Sequence, residues 1–277
     1  MKKIIIALDG EHFPHGAFEF AKYINRQQQI LLAGIFLSPV DYSKLLAFSG
    51  MEGIALMPEW LMRNNDDELV NRNIQLFEEA CTKEGLEFRV HKDNDVMALS
   101  SLIEESRYAD VLLVSSELFY ENIQKKQPNF YLEEVLKKAE CPVLLVPEQF
   151  EEPLQTVLTY DGSESATFAL KQFAYLFPEI STMETILLSI GNHHHEPEDF
   201  PGYSMVTELV SQHYPKLRIQ KLPLSDKKDF PMWMGEQPHS IVVIGAYSRS
   251  IFSELFKKSF AATMISTLKM PLFISHK

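Results

Sequence analysis

Apolar and polar positions come in blocks along this chain, and the period of the blocks changes from one to the next. Lys2 to Leu8 (KKIIIAL) is a β-branched apolar run that stops at Asp9-Gly10, the pattern of a buried parallel strand followed by a turn. From Phe13 to Asn25 the residues Phe13, Ala17, Phe20, Ala21 and Ile24 share one face, which predicts a helix. Gln29 to Leu37 reads as the next strand. Asp66 to Glu84 is helical, with Leu69, Ile74, Phe77 and Ala80 expected to face inward. A short strand over Leu86 to His91, a helix over Ala98 to Arg107 and a strongly buried strand over Ala109 to Ser115 follow. A polar stretch from Ser116 to Pro128 leads to a helix over Tyr131 to Lys138 and a strand over Cys141 to Pro147. The segment from Pro39 to Asp67 has no clear period and contains Pro39, Gly50, Gly53 and Pro58, so it reads as a long functional loop or an inserted cap.

After the acidic stretch Glu148 to Pro153 the order begins again. Thr156 to Tyr160 is a strand ending at Asp161-Gly162, and Glu164 to Phe177 a helix. Thr185 to Ser189 is a strand, Tyr203 to Tyr214 a helix and Leu217 to Leu222 a strand. The crossover from Pro223 to Pro238 looks short. Ser240 to Gly245 is a strand, Ser253 to Thr267 a helix and Pro271 to Ser275 the closing strand. The two passes match in their opening Asp-Gly turns, in Tyr108 to Val114 against Pro238 to Ile244, and in Cys141 to Val146 against Met270 to Ser275. Strands alternating with helices predict a mainly parallel sheet covered on both faces. The repeat predicts two tandem α/β domains, residues 1–150 with an insert at about 38–65, and residues 151–277. One large doubly wound sheet is the alternative, against which the repeated opening and closing motifs argue.

Composition narrows the function classes. A chain of 277 residues suits two domains of ordinary size. Its apolar runs are far shorter than the roughly 20 residues that span a bilayer, and Asp9 and Glu11 cut the N-terminal run below the length of a secretion signal. Two cysteines, Cys81 and Cys141, form no disulfide framework and no CxxC motif, so a reducing cytoplasm is the expected setting. A net charge of −12 argues against nucleic acid and anionic membrane surfaces as partners.

The pattern resembles the universal stress protein family in its tandem form. The residues that carry the resemblance are Ile4 to Gly10, Thr156 to Ser165 (TVLTYDGSES), Gly245 to Ser259 (GAYSRSIFSELFKKS) and the terminal strands CPVLLV and MPLFIS. The resemblance implies two doubly wound domains, each with a five-stranded parallel sheet of order 3-2-1-4-5 (adenine nucleotide alpha hydrolase-like). It also implies that the last strands of the two halves pair antiparallel as an internal pseudo-dimer, with further pairing into a homodimer left open. Many members bind ATP through Gly-x2-Gly-x9-Gly-Ser/Thr after the fourth strand and an acidic residue at the end of the first. Here Gly245 and Ser259 stand at the outer motif positions, while Ser248 and Lys258 replace the second and third glycines. In the first half Ser115, Leu118, Pro128 and Asn129 occupy the equivalent spacings, so the motif is gone.

On that resemblance, an adenine nucleotide in the second half would meet Asp161 and Gly162 at its ribose or base, and Gly245, Ser248 and Ser259 at its phosphates. Arg249, Lys257 and Lys258 would hold phosphate by charge, or are a solvated basic helix face. Asp161-Gly162 also reads as a plain turn, and Ser163 as the cap of the following helix. Replacing Gly245 by valine is expected to remove nucleotide affinity and leave the fold intact. The alternative reading is a protein-interaction scaffold that has lost the ligand and meets an unknown partner through the apolar insert, which carries Leu56, Met57, Trp60 and Leu61. That insert reads as a lid, as an interface or, more simply than either, as ordinary burial.

No catalytic constellation emerges. Ser163 and Ser165 lack a Gly-x-Ser-x-Gly elbow and assignable partners. His193, His194 and His195 with Glu196 and Glu198 sit in one loop, which suits a solvated loop better than a metal site. His12 and His15 make no stronger case, and Cys141 reads as a packed residue. No metal is expected.

Overall fold

The computed structural model of this chain describes residues 1–8, 12–37, 67–92, 98–116, 130–190, 202–222, 229–245 and 269–275. Ten strands form one sheet: β1 (Lys2–Leu8), β2 (Ile30–Phe36), β3 (Glu87–Lys92), β4 (Val111–Ser115), β5 (Val143–Val146), β6 (Gln155–Tyr160), β7 (Glu184–Ile190), β8 (Leu217–Leu222), β9 (Ser240–Gly245) and β10 (Leu272–Ser275). Their order is β3-β2-β1-β4-β5-β10-β9-β6-β7-β8, so each set of five runs 3-2-1-4-5. All neighbours are parallel except at the centre, where β5 and β10 pair antiparallel through Leu145 with Leu272, Leu144 with Phe273 and Val143 with Ile274. The strands thus form one continuous sheet and, within it, two complete doubly wound units.

The apolar runs are continuous because both faces of the sheet are covered. Every position of β4 and β9 is buried. Ile4, Ile6 and Leu8 face one layer, which holds α1 (His15–Gln27), α2 (Asp67–Lys83), α5 (Glu164–Leu176) and α6 (Tyr203–His213). Ile5 and Ala7 face the other, which holds α3 (Ala98–Ser106), α4 (Phe130–Lys138) and α7 (Asp229–Gly235). The short crossover is this last helix, and Phe230, Trp233 and Met234 anchor it. The outer strands carry Arg89 and Lys92 on one edge and Arg218 and Lys221 on the other, charges that discourage further strand addition.

The two units share a core. Phe20 of α1 packs against Phe177 just beyond α5 (6.1 Å) and Phe150 (5.4 Å), and Phe173 of α5 packs on Phe273 of β10 (5.2 Å). The acidic stretch between β5 and β6 is pinned to both sides: Glu152 pairs with Arg26, and Glu151 with His239 at 2.9 Å. Lys2 at the start of β1 donates to the Leu176 carbonyl at the end of α5.

Two expectations shift. Pro14 fixes the start of α1, so the helix begins at His15 and Phe13 lies before it. On α2 the inward residues are Val70, Phe77 and Cys81, while Ile74 and Ala80 are only partly buried and Leu69 is 45% exposed. Residues 69 and 70 lie about 100° apart around the helix, and Val70, not Leu69, is in phase with Phe77 and Cys81. The insert at 38–65 and the helix expected at Ser253 to Thr267 lie outside the described residues.

Candidate functional site

In the second unit the chain passes from β6 to β7 and β8 on one side, then returns to β9 on the other side of β6. The carboxyl ends of β6 and β9 therefore flank the point where strand order reverses, the position at which open α/β sheets bind ligands. The register pairs Leu158 with Val243, which brings Tyr160-Asp161 and Gly245 side by side two residues on. Thr159 Oγ1 donates to the Val243 carbonyl at 2.9 Å and ties the two strands beneath the site.

Above β6 the chain makes a locally determined turn. The Asp161 carboxylate accepts the Ser163 N–H at 3.0 Å, and Gly162 takes φ +81°, a conformation that favours glycine. Ser163 is the N-cap of α5: its Oγ accepts the Ala166 N–H at 3.1 Å. The hydroxyl is thus committed to the helix end. Gly245 closes the site from below. A β-carbon there would lie 2.6 Å from Ala166 Cα, with Ala166 N and Ser165 C nearer still. The glycine is therefore needed to seat the first turn of α5 on β9, with or without a ligand. This corrects the expectation that Gly245→Val spares the fold: valine would collide with helix backbone, which cannot yield as a flexible side chain does.

Asp161, Gly162 and Gly245 thus converge on the first turn of α5. Ser248 and Ser259 lie outside the described residues, as do Asp9, Gly10, Arg249, Lys257, Lys258 and the histidine run 193–195. A cleft of about 500 Å³ opens beside the turn between α5 and α6, lined by Tyr160, Gly162, Ser163, Thr167, Phe168 and Met205 among others. Burial pushes the Tyr160 phenol above its ordinary pKa, against the Thr167 hydrogen bond, which lowers it. Gly202, at φ +70°, starts α6 above the Tyr160 hydroxyl, which would be 3.2 Å from a β-carbon there.

The first unit builds the equivalent place differently. Ser115 ends β4 where Gly245 ends β9, is fully buried, and donates to Glu148 Oε1 at 2.5 Å. A hydroxyl side chain bonded to the chain beyond β5 thus stands at the strand end where the second unit has a glycine. Gly16 in α1 lets that helix approach the chain beyond β5: a β-carbon would be 2.7 Å from Pro147 C and 2.9 Å from Glu148 Cα. A cleft of about 410 Å³ lies between α1 and α2. Sequence reasoning missed Gly16 and this cleft; a glycine directly after Phe-Pro-His at a helix start was the available signal.

Both cysteines are buried and unpaired. Burial pushes the Cys81 and Cys141 thiols up to about 12. Among the described residues no group of three or more metal-ligating side chains is gathered, and no helix is long and apolar enough to cross a membrane.

No protein-family model matches the chain, and no curated protein matches it. Solved structures do. A universal stress protein from Archaeoglobus fulgidus DSM 4304 superposes over 100% of this chain and 96% of its own, with a TM-score of 0.64 at 12% identity. A universal stress protein family protein from Arabidopsis thaliana, solved with AMP bound, matches 53% of this chain and 92% of its own, with a TM-score of 0.34 at 17% identity. The match to the Archaeoglobus structure takes in the whole of this chain, and so both of its 3-2-1-4-5 units. The chain has the universal stress protein fold, with both units in one polypeptide.

Proposed function

We propose that the chain is a tandem universal stress protein of the cytoplasm, divided near residue 150, that works by binding and not by catalysis. Its second domain holds an adenine nucleotide, ATP by preference. The observation that carries this reading is the convergence of Asp161, Gly162 and Gly245 on the first turn of α5 at the strand-order reversal. The Asp161 carboxylate keeps acceptor capacity beyond the Ser163 N–H and would take a ribose hydroxyl or an adenine amino group. The backbone after Gly245 and the hydroxyls of Ser248 and Ser259 would meet the phosphates, with the positive end of α5 adding favourable potential.

The test is nucleotide content and affinity. The full chain is purified without added nucleotide, denatured, and its supernatant analysed by absorbance and mass; ATP with magnesium is then titrated by calorimetry. Retained ATP or saturable binding is expected. Asp161→Asn separates two roles of this residue, since an amide oxygen still accepts the Ser163 N–H while the charge and the second acceptor oxygen are lost. It should weaken binding by about tenfold or more and leave unfolding unchanged. No nucleotide and no heat at millimolar ATP would refute the proposal and favour the interaction-scaffold reading, in which Ser248 and Lys258 mark a lost site.

A further inference from the structure

The first unit contains a binding element that the nucleotide reading does not use. Helix α2 is apolar on two faces. Val70, Phe77 and Cys81 are buried against the sheet, yet Leu69 and Leu76 are 45% and 43% exposed on the outer side. Arg72 lies between these two leucines, three residues after one and four before the other, so all three share a helix face. That face forms one wall of the 410 Å³ cleft, whose opposite wall includes Phe13 and His15 at the start of α1. Their rings touch, with centroids 5.0 Å apart.

The cleft lining carries one guanidinium, Arg72, and one carboxylate, Glu148, in a chain that is otherwise strongly acidic. The sequence has 38 acidic and 26 basic residues, so an arginine has a carboxylate near it by default. Arg26, Arg89 and Arg107 pair with Glu152, Glu87 and Glu140. Among the described residues Arg72 makes no hydrogen bond or ion pair. The carboxylate in the cleft, Glu148, already accepts the Ser115 hydroxyl at 2.5 Å. A guanidinium with no partner among the described residues, beside Leu69, Leu76 and Phe13, suits a ligand with an anionic head and an apolar body. Guanidinium binds carboxylate and phosphate through paired donors, and the cleft is within the usual size of small-molecule sites.

We infer that the cleft between α1 and α2 is a site for a small organic anion, a carboxylate or phosphate monoester carrying an apolar group, with Arg72 holding the head. The leucines and Phe13 cover the body, and His15 supplies a further ring nitrogen. This site is separate from the nucleotide proposed for the second unit and does not depend on it.

The test is calorimetric titration of the full chain with phenyl phosphate, benzoate and inorganic phosphate. Saturable binding of phenyl phosphate or benzoate is expected, and the stronger of the two identifies the head group. Inorganic phosphate should bind at least tenfold more weakly, because it leaves the apolar walls uncovered. Arg72→Glu should abolish binding and Arg72→Lys restore part of it; a shifted unfolding midpoint in the first would move the comparison to Arg72→Gln. Asp161→Asn should have no effect. The inference is overturned if neither organic anion saturates at millimolar concentration, or if Arg72→Glu binds as the unaltered chain does. It is equally overturned if Lys171→Glu, in the cleft of the second unit, abolishes binding in place of Arg72→Glu.

Discussion

Gly245→Ala tests whether Gly245 is a packing residue before it is a ligand residue. The added methyl carbon would stand 2.6 Å from Ala166 Cα, about 0.8 Å short of the 3.4 Å at which ordinary contact begins. Two further backbone atoms of the same turn are nearer. Relief requires α5 to move off β9 by most of an ångström. That helix is locked from several sides: Phe173 and Leu170 are buried in the core, the Leu170 carbonyl accepts the Tyr214 hydroxyl at 2.7 Å, and Ser163 caps the first turn. Overpacking of a well-filled site costs about 1–3 kcal/mol, and a clash with backbone belongs at the upper end, about 2–3 kcal/mol. For a chain of this size that corresponds to a fall in the thermal midpoint of roughly 3–5 °C. The assay is urea and thermal unfolding followed by circular dichroism, with Gly235→Ala as the control. Gly235 ends α7, and a β-carbon there would meet nothing within 4 Å, so alanine should be neutral or stabilise by up to about 0.5 kcal/mol. If Gly245→Ala were as stable as the unaltered chain, α5 would not be seated as described. Loss of nucleotide binding in a Gly245 variant could then be read as a ligand contact.

Two further predictions concern the cap and the thiols. Ser163→Ala removes the acceptor for the Ala166 N–H and should lower stability by about 1 kcal/mol in the same urea experiment; an unchanged midpoint would mean that the cap is replaced at no cost. Burial pushes Cys81 and Cys141 from 9.0 up to about 12, so the folded chain holds these protons more tightly than the unfolded chain. Their contribution is complete below pH 9 and is lost as pH rises toward 12. Replacing both cysteines by alanine should flatten the fall of unfolding free energy over that interval, leaving the part due to Tyr23, Tyr160 and Tyr214, which burial also raises. An identical slope in the variant would show that the thiols ionise freely in the folded chain.

The sheet was readable in the sequence because its interior strands are covered on both faces. Ile4-Ile5-Ile6, Val111 to Val114 and Ile241 to Ile244 have no polar side, and only a parallel sheet between two helical layers uses such runs. The antiparallel junction of β5 and β10 followed from resemblance alone, since nothing in CPVLLV or MPLFIS specifies a partner. The phase of α2 was not legible, for a definite reason. Leu69, Val70, Ile74, Leu76 and Phe77 fill one broad arc of about 160°, with Leu69 and Leu76 toward one border and Val70, Ile74 and Phe77 toward the other, so periodicity gives an apolar side but does not centre it. Within the site, legibility followed contact order. The Asp161, Gly162 and Ser163 turn is made by residues acting on their own neighbours, and its chemistry is written in the dipeptide and the cap. The demands on Gly245 and Ser115 come from Ala166 and Glu148, which are remote in the chain, and no local pattern encodes them.

The comparison of the two units explains how one frame can keep its fold and diverge in what it binds. In each unit the first turn of the first helix makes a contact with no room for a β-carbon, but the contacts differ: with the end of β9 in the second unit and with the chain beyond β5 in the first. In the second unit the glycine is on the strand, at Gly245, where the backbone of Ser165 and Ala166 packs directly on the carboxyl end of β9. In the first it is on the helix, at Gly16, facing Pro147 and Glu148, and the end of β4 carries Ser115 instead. That side chain donates to Glu148. The exchange need not cost stability, because the hydroxyl is bonded where it is buried. The cleft of the first unit lies between α1 and α2, where α2 presents Leu69, Arg72 and Leu76. On the two proposals above, a ligand would then meet backbone beside Gly245 in one unit and a guanidinium with apolar side chains in the other.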